Sequence, residues 1–170
     1  MKKSLSLFTG FLAFTFLPFA SAGEKSFPAK DSVLTYVAPD DWKTEKDAKD
    51  GSISINSPDE RVSINFAPIP IDASMEIFEK MLPEMVKALG EGAKEVDKPK
   101  EHSEDGLTGY TATYSGKIEG KPAICIMILF KGGEGHSVLG NVVVADPETL
   151  SKEDNAAIGA FMKSLKGAAK

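Results

Sequence analysis

The sequence predicts an α+β protein: a mostly antiparallel six-strand sheet with helices packed on both faces, an α/β/α sandwich in which β-β-β-α occurs twice. Three observations lead there. Short runs rich in β-branched and aromatic residues fall into two groups of three. An amphipathic helical stripe follows each group. The run Ala123–Phe130 is apolar on both alternations, which is the pattern of a central strand covered on both faces. Residues 1–22 read as a signal peptide, 23–32 as a polar lead-in and 33–166 as a single domain.

The leader distorts every count. Lys2 and Lys3 form a positive start, Leu5 to Phe19 an uncharged apolar run, and Ala20-Ser21-Ala22 a small-x-small cleavage site. The apolar run carries Gly10 and Pro18 and falls short of the roughly 20 residues a membrane span needs. No cysteine follows the site, so no lipid anchor is indicated, and no stable membrane anchor is expected after cleavage. The leader holds five of the ten phenylalanines. Without it, 170 residues become 148, and the loss of two lysines leaves 18 basic residues against 25 acidic ones, a net charge of −7. An acidic, Arg-poor exported chain suits an open compartment, periplasmic or extracellular. With a pI near 5.1 and Arg61 as the only arginine, nucleic acid is excluded as a partner.

Val33-Leu34-Thr35-Tyr36-Val37 reads as the first strand and ends at the turn Ala38-Pro39-Asp40-Asp41-Trp42. Lys43 to Asp50 is charged and has no apolar period, so a surface loop is expected. Ser52–Asn56 and Val62–Phe66 alternate cleanly and predict a hairpin, Ile and Val inward, Ser and Asn outward. Pro68 and Pro70 end its second strand. Asp72 or Ser74 can cap the helix that follows, whose stripe is Met75, Phe78, Met81 or Leu82, Met85 and Leu89. Pro83 lies inside it and predicts a kink, or two short helices end to end. Gly90 and Gly92 stop it.

Ala93 to Gly106 is polar and charged and reads as a loop, with an edge strand as the alternative. Tyr110–Ile118, Ala123–Phe130 and Val138–Val144 then form an antiparallel meander, separated by Gly120 and by Lys131-Gly132-Gly133-Glu134-Gly135. Ser151 with Asp154 three residues on resembles a capping box. It opens a last helix carrying Ile158, Phe161, Met162 and Leu165. Lys163, Lys166 and Lys170 suit that helix's C-terminal dipole.

This pattern resembles the PsbP-like family of exported proteins and its bacterial periplasmic relatives. The resemblance is carried by the strand leading into Tyr36-Val37-Ala38-Pro39-Asp40-Asp41-Trp42, the first hairpin and helix, the closing meander and the final helix, over most of residues 31–166. It implies an α/β/α sandwich and a non-enzymatic assembly or accessory role, and it carries over no catalytic residue.

The chemistry-bearing residues are few. His102 and His136 are the only histidines. His102-Ser103-Glu104-Asp105 has the letters of a hydrolase, but neighbours on one loop cannot converge on a reacting atom. Gly132-Gly133-Glu134-Gly135-His136 lacks the Gly-Lys-Ser/Thr ending of a phosphate loop and leads into a strand. Asp47-Ala48-Lys49-Asp50-Gly51 has too few ligands for an EF-hand. Cys125, the single cysteine, lies in the most apolar run and reads as a buried thiol. With Met75, Met81, Met85 and Met127 it offers soft ligands for copper(I), against the reading of methionine as core filler.

Trp42 is either a recognition residue on an acidic loop or a lid on the sheet's own core. Met81 and Met85, beside Pro83, would line a groove between helix and sheet. The expected function is an exported accessory or binding protein acting on a protein or small ligand, as a monomer, with no cofactor and no catalytic constellation. The alternatives are a periplasmic copper-binding protein or a secreted hydrolase.

Overall fold

The computed structural model describes residues 23–168 apart from Ala88 and Glu91, so the leader lies outside the described residues. Two antiparallel sheets dominate. A small sheet pairs β1 (Lys25–Phe27), β2 (Leu34–Tyr36) and β10 (Lys166–Gly167) in the order β1-β2-β10. The main sheet has seven strands: β3 (Lys43–Lys46), β4 (Ile53–Asn56), β5 (Val62–Ile69), β6 (Lys94–Glu104), β7 (Leu107–Ile118), β8 (Lys121–Lys131) and β9 (Ser137–Ala145). Its order is β3-β4-β5-β9-β8-β7-β6. The two helices are α1 (Met75–Lys87) and α2 (Lys152–Ser164).

The fold class expected from sequence is therefore corrected. Of the described residues 47% are strand and 20% helix, so the protein is mostly β rather than a six-strand α/β/α sandwich. Three local errors add up to this. Lys43 to Asp50, expected as a loop, contains β3. Ala93 to Gly106, expected as a loop with an edge strand as the alternative, contains the eleven-residue edge strand β6. The first predicted strand leaves the main sheet altogether and pairs with β1 and β10.

Both missed strands of the main sheet are its edges. β3 (KTEK) is exposed throughout, and β6 (KEVDKPKEHSE) nearly so. An edge strand with solvent on both sides has no apolar alternation to display. Lysine, proline and bulges there keep other chains from pairing with it. β6 has Pro99 and register shifts between Glu95 and Lys100.

Register elsewhere is set by turns and alternation. Asp105-Gly106 and Glu119-Gly120 are two-residue connections with both residues at positive φ, 48° and 76° in the first and 52° and 82° in the second. That geometry matches the twist of the flanking strands. β5 continues through Pro68 to Ile69 and pairs with β9 along its whole length, which joins the first hairpin to the meander. α1 is one helix through Pro83. Pro83 and Glu79 are exposed, so the carbonyl left without a donor is open to water. Ser74 caps it, its Oγ accepting from Ile77 N–H at 3.2 Å. Ser151 Oγ accepts from Asp154 N–H at 2.9 Å at the start of α2.

The main sheet has two differently covered faces. On one, Ile55, Val62, Ile64, Phe66, Ile128, Phe130 and Val142 pack against Leu34 and Tyr36 of the small sheet and Phe161 of α2. On the other, Ala112, Cys125, Met127 and Leu129 pack under Phe78 and Leu82 of α1. β8 feeds both by alternation.

Candidate functional site

Trp42 is buried, 6% exposed, within the cluster shared by the two sheets. Its backbone N–H donates to Pro39 carbonyl at 3.1 Å, closing the Pro39–Trp42 turn. Met81 and Met85 are half-buried on α1, and Met85 packs on the opposite cluster. The three expected site residues are thus not brought together: the main sheet lies between Trp42 and Met85. Neither the depression along Ser54, Asn65 and Asn141 nor the cleft at Pro28, Pro68 and His136 is lined by Met81 or Met85.

What stands open is the rest of α1's own face of the sheet. α1 lies over β6, β7 and β8. Beyond it, β4, β5 and β9 turn Ser54, Asn56, Ser63, Asn65, Ala67 and Asn141 outward, none of them charged. Pairing sets Ser54 opposite Asn65 and Asn65 opposite Asn141, and the side chains bond across the strands. Ser54 Oγ donates to Asn65 Oδ1 at 2.6 Å, and Asn65 Nδ2 donates to Asn141 Oδ1 at 2.9 Å and to Ser63 Oγ at 3.2 Å. The row ends on the Asn141 amide nitrogen, which has no partner among the described residues. A shallow depression of about 120 Å³ lies along it, reaching Ala67 and Leu139. The outward Ser and Asn of the β4–β5 hairpin were legible in the sequence; their junction with Asn141 is a product of the β5–β9 pairing.

A second cleft, of about 220 Å³, opens at the end of β5 on the side of the small sheet. Pro28, Lys30, Asp31 and Val33 come from the β1–β2 turn. Pro68 and Ile69 come from the end of β5 and Pro70 from just beyond it, while His136 comes from the β8–β9 loop and Ser137 from the start of β9. Of these, sequence reading weighed only His136 for chemistry and took Val33, Pro68 and Pro70 as strand residues or strand ends, since three separated segments meet only through topology.

The remaining chemistry-bearing residues are dispersed. Cys125 is buried, and burial pushes its thiol up to about 11, far from a reactive thiolate. His102 stands on edge strand β6, its Nε2 3.2 Å from Glu104. Asp47 and Asp50 spend their carboxylates on Lys49 N–H at 2.7 Å and Ser52 N–H at 2.8 Å in the β3–β4 turn. Among the described residues no group of three or more His, Cys, Asp or Glu could hold a metal ion.

No family model matches the chain, and no curated protein matches it. Solved structures do match. The crystal structure of LpqN, involved in cell envelope biogenesis of Mycobacterium tuberculosis, is similar with a TM-score of 0.59 and 15% identity, over 86% of this chain and 90% of that one. A crystal structure from Bacteroides thetaiotaomicron is similar with a TM-score of 0.50 and 15% identity, over 86% of this chain. The match covers 49% of that structure, so this chain spans about half its length. At this identity the likeness is one of fold. Among the described residues no helix is long and apolar enough to cross a membrane.

Proposed function

We propose that the chain is an exported accessory protein that acts by contact, docking a protein partner on the open β4–β5–β9 face. The observation that carries this is the uncharged Ser54–Asn65–Asn141 row in a chain that is 26% charged. The other exposed strands, β3 and β6, are lined with Lys and Glu. A neutral row of amides and hydroxyls, flanked by Ala67 and Leu139, suits an uncharged polar protein surface, since such side chains give adaptable hydrogen bonding. It offers a polyanion nothing. The sequence-level leader and the fold shared with LpqN, a protein of envelope biogenesis, support an envelope or periplasmic setting. The charged edges support a monomer.

Affinity capture from the periplasmic fraction tests this with two variants. A protein retained by the parent chain should be lost at least tenfold with Asn141→Lys and kept with Lys98→Glu on the far edge, all three giving the same circular dichroism. Retention by Asn141→Lys, or nothing retained by the parent, overturns the reading. Hydrolytic turnover abolished by His102→Ala or His136→Ala would replace it with an enzyme.

A further inference from the structure

We propose that the 220 Å³ cleft between the β1–β2 turn and the end of β5 binds a free α-amino acid with an apolar side chain. The site lies apart from the β4–β5–β9 strip and does not depend on partner docking there.

Size sets the first limit. Pockets for drug-sized molecules run from about 300 to 1,000 Å³, so this one has room for a single small molecule. The lining sets the chemistry. Its body is Pro28, Pro68 and Pro70 with the buried Val33, an apolar wall for an aliphatic or aromatic side chain. Its rim carries one cation, Lys30, one anion, Asp31, and the imidazole of His136. None of these three side chains is spent on an ion pair or hydrogen bond among the described residues. A molecule with a carboxylate, an ammonium and an apolar group uses every element: the carboxylate meets Lys30 and the imidazole N–H of His136, the ammonium meets Asp31, and the side chain lies on the prolines.

The cleft is built rigid, which lowers the cost of ordering a ligand. Proline side chains have almost no freedom to lose. The β8–β9 loop that presents His136 is tied down at three points. The backbone N–H of His136 donates to Gly133 carbonyl at 3.0 Å, that of Gly135 to Asp72 Oδ1 at 2.7 Å, and Ser137 Oγ to Ile71 carbonyl at 2.6 Å. The opposite wall is held by Val33 N–H on Phe27 carbonyl at 3.0 Å and Ser32 Oγ on Pro28 carbonyl at 2.9 Å. Gly132 brings the walls together: a Cβ there would lie 2.2 Å from His136 carbonyl and 2.8 Å from the Val33 side chain. Asp31 holds a backbone φ of 53°, uncommon for a residue with a side chain.

The test is an NMR titration following the backbone amides of Val33, Gly135 and His136. L-Leucine or L-phenylalanine should saturate these shifts with a Kd near or below about 1 mM, the range open to so small a ligand. Glycine lacks the side chain, N-acetyl-L-leucine the ammonium and L-leucinamide the carboxylate; each should bind at least tenfold more weakly. Lys30→Met and Asp31→Asn should each weaken L-leucine binding by a similar factor while leaving the remaining spectrum in place. No saturable shift up to 10 mM, or equal binding of the three controls, overturns the proposal. The Asn141→Lys capture result is unaffected by either outcome, so this failure cannot be mistaken for failure of partner docking.

Discussion

The two faces of the main sheet are covered by different means. Toward the small sheet, Phe66 is 1% exposed and lies within 5.9–6.3 Å of the rings of Phe27, Tyr36, Phe130 and Phe161. Those rings come from β1, β2, β8 and α2, so one side chain joins four elements. Toward α1 there is one ring pair among the described residues, Phe78 with Tyr110 at 6.2 Å, and the other buried side chains are Leu, Met, Cys and Ala. That packing thins out partway across the sheet, ending on Leu139 and Val143 of β9 and on Ile69 at the very end of β5. The first face is closed by a second sheet and a helix. The second is closed over half its width, and the strands left over carry Ser and Asn. The face that spends less of its area on the core is the one that leaves a strip of strand side chains uncovered.

The contrast is sharpest in its energetics. Phe66→Ala should destabilise by about 3–5 kcal/mol, because four elements lose a common partner and cannot all close on the cavity. Phe78→Ala removes the same side chain from a face with one ring partner, and it should fall at the lower end of that range. Urea unfolding of both variants measures this directly. Equal losses would break the comparison and make the α1 face as stabilising as the other.

A second measure reads the α1 face alone. Cys125 is 4% exposed there, and burial holds its thiol proton up to about 11 against an ordinary 9.0. The unfolded chain releases that proton near 9, while the folded chain keeps it. The associated stability is therefore complete below pH 9 and lost as pH rises through about 11, in all about 2–3 kcal/mol. Cys125→Ala removes this dependence, so the advantage of the parent over the variant should shrink steadily between pH 8 and pH 11. A constant difference across that range would mean the thiol is solvated and α1 covers it poorly.

How far the sequence revealed these faces depends on where each strand lies. Ile53, Ile55, Val62 and Ile64 announce β4 and β5 because one side of each is buried. Cys125, Met127 and Leu129 interleaved with Ile126, Ile128 and Phe130 announce a strand buried on both. β3 and β6 are buried on neither, so their charges read as loop. The turn Asp105-Gly106 was the available signal for β6, since a residue pair of that kind between two runs specifies a hairpin. Trp42 and Met85 were each placed on the right element, but the sheet that separates them is a fact of topology. The cleft at Pro28, Pro68 and His136 is equally topological. The hairpin signal can be tested: Gly106 has a φ of 76°, so Gly106→Ala should cost about 1–2 kcal/mol. The same turn touches the other layer, because Gly167 N–H donates to Asp105 carbonyl at 3.0 Å. Loss of hydrogen-exchange protection at Gly167 in this variant would show that the α1-side hairpin and the small sheet open together. Unchanged protection would separate the two layers.

The smallest effect is expected at the rim of the closed face, where Arg61 ties the β4–β5 turn to α2. Its Nη1 donates to Thr149 carbonyl at 2.9 Å and to Thr149 Oγ1 at 3.1 Å, and its Nη2 lies 3.6 Å from Asp154 Oδ2. Its Nε donates to Asp59, and that bond, with a second from Ser57 Oγ, holds the Asp59 carboxyl down to about 2 from an ordinary 3.8. A carboxylate held low contributes stability that is complete above pH 3.8 and lost as pH falls through about 2. Asp59 and Arg61 are solvent-accessible, and pairs of that kind contribute little. Asp59→Asn should therefore change stability at pH 7 by less than Gly106→Ala does. Its clearer mark should be a flatter decline between pH 4 and pH 2 in acid-unfolding curves. If the variant loses as much at pH 7 as Gly106→Ala, the closed face depends on this rim as well as on its rings.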